Sequence, residues 1–283
     1  MSRASQLAQQ VPNHHGMVDA SGVRRMNAVQ IGALLWVAST TSLYRAQGPV
    51  AVDLGFAGYS SDESRAIGRT EAAVNQIEEA WLSVERLRFH DTTRCDDPGR
   101  RPDVLGPVFV EVVGGRVVGL AEKLSLEARR YSTVDGAFRV AQPKDEAPSV
   151  MHGASIVIRG RRADGVRFVI RSRRADSVDL RASTPRGFAV RETDTRIFVG
   201  IDLAAWLRGV DLHTAEVDQA GDGRIIRIDD RSNRELLRVF ERNVLSGIAL
   251  FRDEDADGLL SVTERSRDKQ LASGRKPGLP VVR

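Results

Sequence analysis

From about residue 50 onward, apolar residues come in short runs with turn residues between them. Residues 108–113 are a β-branched run that ends in Gly114-Gly115, and Arg116-Val117-Val118 resumes it, the outline of a hairpin. Residues 155–158 and 166–170 flank Ala163-Asp164-Gly165 in the same way. Val166, Phe168 and Ile170 alternate with Arg167 and Arg171, a period of two that predicts one buried and one wet face. Residues 196–203 and 224–228 read as further strands. Two segments carry helical spacing. Residues 203–208 follow Asp202 as N-cap and stop at Gly209. Residues 233–244 place Leu236, Leu237, Phe240 and Val244 on one stripe, with Asn233 as cap. Residues 74–89 fit both periods: Val74, Ile77, Trp81 and Val84 suit a helix, whereas Ala80, Leu82 and Val84 suit a strand. Many short strands with few helices predict a mainly β fold, an antiparallel sandwich or barrel with one or two short helices.

The first 46 residues have a different pattern. Arg24-Arg25 precede Met26 and an apolar stretch at 31–38, and a small, polar segment ends in Tyr44-Arg45-Ala46 before Gln47. Basic, apolar and small-residue regions in that order are the parts of a secretory signal. The apolar run is too short to span a bilayer, and no Cys follows it to carry a lipid. The alternative is a short buried helix behind a leading arm. Residues 1–16 fit poorly ahead of such a signal, so Met17 or Met26 is a candidate start. The expected organisation is a signal or targeting segment at 1–46, a single β-rich domain at 47–264, and a disordered basic tail at 265–283. The chain is then exported to the periplasm, the cell surface or the medium.

Residues 253–264 read Asp-Glu-Asp-Ala-Asp-Gly-Leu-Leu-Ser-Val-Thr-Glu. Three alternating carboxylates, Asp253, Asp255 and Asp257, can all turn inward in a tight loop, and Gly258 carries the backbone through the sharpest turn. Leu259 offers its carbonyl, Ser261 its hydroxyl directly or through water, and Glu264 a bidentate carboxylate. Ca²⁺ is a hard cation that takes six to eight oxygens, and four carboxylates crowded without a cation would repel one another. The segment matches the EF-hand-type calcium loop at each of its constrained positions and is identified by resemblance with it. That resemblance implies Ca²⁺ as the bound ion and an apolar packing slot at Leu260. The flanks depart from the EF-hand. Arg252 and Ala249 stand where an entering helix has apolar residues, Ile248, Leu250 and Phe251 fit a strand at least as well as a helix, and Arg265-Ser266-Arg267-Asp268-Lys269 carries no apolar stripe for an exiting helix. The resemblance therefore covers the loop alone and points to a structural site rather than a helix-opening sensor. Residues 218–229 echo the spacing with Ala220 at the third position, and read as a plain hairpin turn. More widely, the chain resembles a loose group of uncharacterised exported bacterial β-proteins: a strand near a Cys (81–95), a Val-rich strand (108–113), a short helix after a late strand (197–208) and a closing Asp-x-Asp-x-Asp-Gly loop (253–258). This resemblance implies no activity.

Charge narrows the choice of partners. The chain of 283 residues has a net charge of +4, with 38 Arg and 4 Lys among its 42 basic residues. Residues 1–46 carry +3 and residues 265–283 carry +5, which leaves 32 basic against 36 acidic residues in the body. A body of net −4 gives little counterion-release drive toward nucleic acid, and 5% aromatic residues argue against a stacking platform. The single cysteine, Cys95, excludes an intramolecular disulfide and a cysteine zinc site. His90, His152 and His213 are isolated, and Ser266 with Lys269 forms an S-x-x-K by chance spacing. Arg159, Arg161, Arg162, Arg167, Arg171, Arg173 and Arg174 crowd one hairpin, either a wet strand face or a surface for an anionic polymer. The expected function is a non-enzymatic, calcium-binding exported domain with a structural or binding role. The alternatives are an anionic-polymer binder through residues 159–174, another surface protein as partner, or a calcium-dependent hydrolase.

Overall fold

A computed structural model describes residues 50–61, 76–92, 104–119, 125–126, 129–220 and 223–274. All of them fall in one unit, residues 46–283. The signal expected at 1–46, Cys95 and the end of the tail at 275–283 lie outside the described residues.

The first strands are β1 (Val50–Ala51), β2 (Asp53–Tyr59), β3 (Gln76–Asp91), β4 (Val104–Glu111), β5 (Arg116–Val118) and β6 (Ser125–Leu126). There follow β7 (Arg130–Phe138), β8 (Ile156–Arg161), β9 (Arg167–Ser172), β10 (Ser177–Ala182), β11 (Phe188–Ala189) and β12 (Arg196–Asp202). Helix α1 (Leu203–Leu207), β13 (Val217–Ala220), β14 (Gly223–Ile228), α2 (Arg234–Val244), β15 (Ile248–Arg252) and β16 (Ala272–Gly274) complete the chain. The fold is mainly β, as the patterning predicts, with both helices short. The strands form one curled sheet, a half-barrel, with β1 and β6 paired apart from it. The sheet is mixed rather than purely antiparallel, because β2 runs parallel to β12 and β14 parallel to β9.

The ambiguous segment at 74–89 resolves as β3, and pairing explains why. Its Gln76–Leu82 stretch pairs β8, Trp81–Leu87 pairs β4, and Val84–Asp91 pairs β7. A strand has two hydrogen-bonding edges. Residues 81 and 82 pair both β8 and β4, and residues 84, 86 and 87 pair both β4 and β7. So β8 and β7 share one edge of β3 and β4 takes the other. The register shifts between Val84 and Arg86, a bulge at the hand-over from β8 to β7. At the far end of the sheet, the Gly58 amide donates to the Val112 carbonyl at 2.9 Å, so the β2 edge returns to the end of β4.

Strand β12 is buried on both faces and sorts the core. Ile197, Val199 and Ile201 enter the main cluster with Ile248 and Leu250 of β15. Phe198 points the other way, into a small cluster with Ala249 and Phe251, against which Ala57, Tyr59 and Leu260 pack. The predicted cap of α1 is present: Asp202 Oδ1 accepts from the Ala205 amide at 3.0 Å. The predicted cap of α2 is not. Asn233 precedes the helix in a left-handed conformation (φ 54°) and makes no cap bond. Its side chain joins the β13–β14 region instead, accepting from the Glu216 amide and donating to the Glu216 and Arg227 carbonyls.

The tail expectation is corrected up to residue 274. Residues 267–269 form a 3-10 turn, and β16 lies inside the sheet, antiparallel to both β10 and β15. Ala-Ser-Gly has weak strand propensity, and it becomes a strand because two neighbours leave a slot between them. Gly274 is required there, since a Cβ would run into the Leu245 carbonyl oxygen. Residues 253–271 are therefore the connection of a β15–β16 hairpin.

Candidate metal site

The acidic loop is held at both ends by strands of one sheet. At its start, Asp253 donates its amide to the Arg196 carbonyl of β12 at 3.3 Å. At its end, Leu271 donates to the Leu250 carbonyl of β15 at 2.8 Å. In between, Leu260 packs against the Phe198–Phe251 cluster. The apolar residue that the EF-hand resemblance marks for packing is thus covered by the protein's own sheet. No helix enters or leaves: β15 leads in, and a turn at 262–265 leads out.

Within the loop, one carboxylate oxygen each of Asp253, Asp255 and Asp257 lies within 4.8 Å of the others, close enough to hold one metal ion. Asp255 and Asp257 are exposed, whereas Asp253 is only 6% exposed. The Asp253 Oδ2 accepts from the Gly258 amide at 3.1 Å. Its buried Oδ1 has no donor among the described residues. Burial holds this carboxyl above its ordinary pKa against the Gly258 amide, and the charges of Glu264 and Asp257 push it further up. An unpaired buried carboxylate oxygen beside two more carboxylates costs folding free energy unless a cation meets it. Backbone geometry supports the arrangement. Asp255 accepts from the Asp257 amide at 3.2 Å and Asp257 from the Leu259 amide at 2.7 Å. Gly258 has φ 79°, and a Cβ there would lie 2.6 Å from Arg196 Nη1, so the turn admits glycine alone.

The other expected ligands sit differently. Glu264 is 3% exposed and accepts from the Glu254 amide through Oε1 at 2.6 Å and from the Ser261 amide through Oε2 at 2.8 Å. Burial pushes its carboxyl up, but these amides and the Ser261 hydroxyl outweigh that and leave it below its ordinary pKa. Glu264 thus ties the two halves of the loop together and lies outside the three-carboxylate group. The Ser261 hydroxyl is engaged with the Thr263 hydroxyl at 3.0 Å and the Glu264 amide at 3.3 Å. Leu259 projects its side chain into solvent, 68% exposed. Arg196 went unnoticed in the sequence: its Nη1 donates to the Gly258 carbonyl at 3.1 Å and its Nη2 faces Asp53 at 3.4 Å.

The competing features are accounted for structurally. In the Arg-rich hairpin, Arg159 pairs Glu79 at 3.2 Å, Arg161 pairs Glu78 at 2.7 Å, and Arg174 pairs Asp176 at 3.0 Å. Arg162 pairs Asp164 through Nε at 2.9 Å. Arg171 donates to the Val150 and His152 carbonyls at 2.7 and 2.6 Å. These charges are largely spent inside the protein. Asp218 pairs Arg227 at 2.8 Å across the β13–β14 hairpin, as a plain turn would have it. Ser266 donates to the Thr263 carbonyl and Lys269 pairs Glu254, so they form no Ser–Lys dyad. His90 meets Asp135 across β3 and β7. No helix among the described residues is long and apolar enough to cross a membrane. No protein-family model, curated protein or solved structure matches the chain.

Proposed function

We propose that this chain is an exported, non-enzymatic β domain in which the loop at 253–264 binds Ca²⁺ to stabilise a long hairpin. The observation that carries the reading is Asp253, whose buried Oδ1 lacks a donor among the described residues and whose carboxylate groups with those of Asp255 and Asp257. The oxygen-only donor set favours a hard cation, and Ca²⁺ tolerates irregular coordination better than the smaller, strictly octahedral Mg²⁺. Because strands β15 and β16 flank the loop, metal binding has no helix pair to open. Its effect is to brace the hairpin and hold Leu260 on the sheet.

The test is scanning calorimetry of the full chain with Ca²⁺, Mg²⁺ and chelator. A lone loop of this type binds with Kd of about 10⁻⁴–10⁻³ M. Ligand at ten times Kd adds roughly 1.4 kcal/mol to stability, seen as a rise in Tm with Ca²⁺ and a smaller one with Mg²⁺. Asp253→Asn should abolish the calcium response and raise metal-free stability by about 1 kcal/mol, since the amide removes a buried, unpaired charge. No binding up to several millimolar Ca²⁺ would sink the proposal. Loss of metal-free stability in Asp253→Asn would mean that the carboxylate serves the fold rather than a cation. Export predicts a separate result. Expressed in a Gram-negative host and fractionated, the chain should appear outside the cytoplasm with Gln47 at its N-terminus, and an intact cytoplasmic chain beginning at Met1 would count against it.

A further inference from the structure

Next to the loop, the end of β2, helix α1 and residues 262–274 enclose a cleft of about 620 Å³. That volume is in the range of small-molecule sites. Its lining is polar and carries an uncompensated charge. Three arginines line it: Arg208 just past α1, Arg265 immediately after the loop, and Arg267. Arg208 and Arg267 are exposed, and among the described residues neither has a carboxylate partner. This separates them from the paired arginines of residues 159–174. Arg265 lies over the Tyr59 ring, 5.5 Å from its centroid. Among the described residues one carboxylate, Asp202, lines the cleft, and its Oδ1 already accepts from the Ser61 and Ala205 amides. Arg208 and Arg267 therefore bring to the cleft two positive charges that no carboxylate among the described residues pairs.

Neutral donors surround those two charges. Burial, followed by the charge of Asp202 and opposed by Arg265, pushes the Tyr59 hydroxyl up to about 12, so it remains a proton donor at neutral pH. The hydroxyls of Ser60, Ser61 and Ser273 and the Gln270 carboxamide make no side-chain hydrogen bond among the described residues. Guanidinium groups match the oxygens of a phosphoryl group in a fixed fork. A phosphate monoester carries about −1.5 to −2 at neutral pH, which balances those two charges, whereas a single carboxylate would leave one of them. The hydroxyl and amide rim suits a polyhydroxylated body.

We propose that this cleft binds a small phosphate monoester on a hydroxyl-bearing carrier, with Arg208, Arg265 and Arg267 on the phosphate and Ser60, Ser61, Ser273 and Gln270 on the carrier. Nothing in it uses the carboxylates of the metal loop. The test is titration calorimetry of the full chain at low salt, with glycerol phosphate, inorganic phosphate, glycerol and gluconate as probes. Each titration is run in Ca²⁺ and in chelator, so that failure of the calcium reading and failure of this one are read separately. Glycerol phosphate should bind saturably and at least about tenfold tighter than the other three, because charge-assisted hydrogen bonds and carrier contacts add. Arg208→Gln and Arg267→Gln should each weaken it about tenfold. Arg173→Gln, which removes a guanidinium 3.8 Å from Asp230, should leave it unchanged. Arg208 and Arg267 are exposed and have no carboxylate partner among the described residues, so their variants should melt with the parent. Absence of saturable binding, or equal affinity in the arginine variants, overturns the proposal. Inorganic phosphate or gluconate binding as tightly as glycerol phosphate overturns the assignment of the ligand as a phosphate ester.

Discussion

Replacing Asp194 by alanine should cost about 3–5 kcal/mol of stability, the penalty for stranding one member of a buried ion pair. Asp194 Oδ1 accepts from Arg252 Nε at 2.8 Å, with side chains 3% and 13% exposed. Its Oδ2 accepts from the Arg191 amide at 2.8 Å. Arg252 also donates through Nη2 to the Ala189 carbonyl at 2.6 Å. The pair thus joins the turn before β12 to the last residue of β15, one position ahead of Asp253. This is where an EF-hand would end its entering helix, and the buried ion pair replaces that helix as the anchor of the loop. Urea unfolding should show the loss, and the calcium-dependent rise in Tm should shrink with it. Asp194→Asn keeps one acceptor oxygen and leaves one of the two donors unmet, so it should cost less than alanine but still destabilise. A loss below about 1 kcal/mol in the alanine variant would place this pair among surface ion pairs of little weight.

What could be read from the sequence follows the range of the forces involved. β9 is legible from its own period of two, which sorts its residues onto two faces locally, and β8, β12 and β14 are legible as short apolar runs between turn residues. The hairpins at β4–β5 and β8–β9 are legible from their turn residues. The acidic loop is legible because its chemistry is packed into twelve consecutive positions, 253–264. Other features depend on distant partners. β3 is a strand because three other strands claim its edges, and nothing in its own pattern excludes a helix. β16 is a strand because β10 and β15 leave room for it. Asn233 looks like a cap, but the backbone of β13–β14 competes for its side chain. The cleft is least legible of all, since Tyr59, Asp202, Arg208 and Arg265 come from elements far apart in the chain. The fold alone brings them together. The two backbone amides that the buried Glu264 carboxylate accepts are not legible from the motif either, since they are set by how the loop closes.

The other large expected effect is at Trp206, the side chain on which the two helices meet. It is fully buried, its ring lies edge-on to Phe240 at 5.9 Å, and its Nε1 donates to the Val244 carbonyl at 2.9 Å. That carbonyl is at the C-terminal end of α2, where the helix itself supplies no donor. Gly247 passes so close that a Cβ there would meet the indole ring. Trp206→Ala should cost about 3–5 kcal/mol through lost burial and the cavity left behind. Trp206→Phe keeps an aromatic filler but strands the Val244 carbonyl, and should cost about 1–2 kcal/mol. The functional consequence follows from position. Ala205, Arg208, Ser246 and Gly247 all line the cleft and all lie within three residues of one of these contacts. Asn243 adds to the clamp by donating to the Arg208 carbonyl at 2.6 Å. Trp206→Phe, which should remain folded, is therefore expected to weaken glycerol phosphate binding while leaving the calcium response intact. Denaturant melts and the two titrations on that single variant check this. If calcium and phosphate responses fall together, the helices brace the whole sheet rather than the cleft alone.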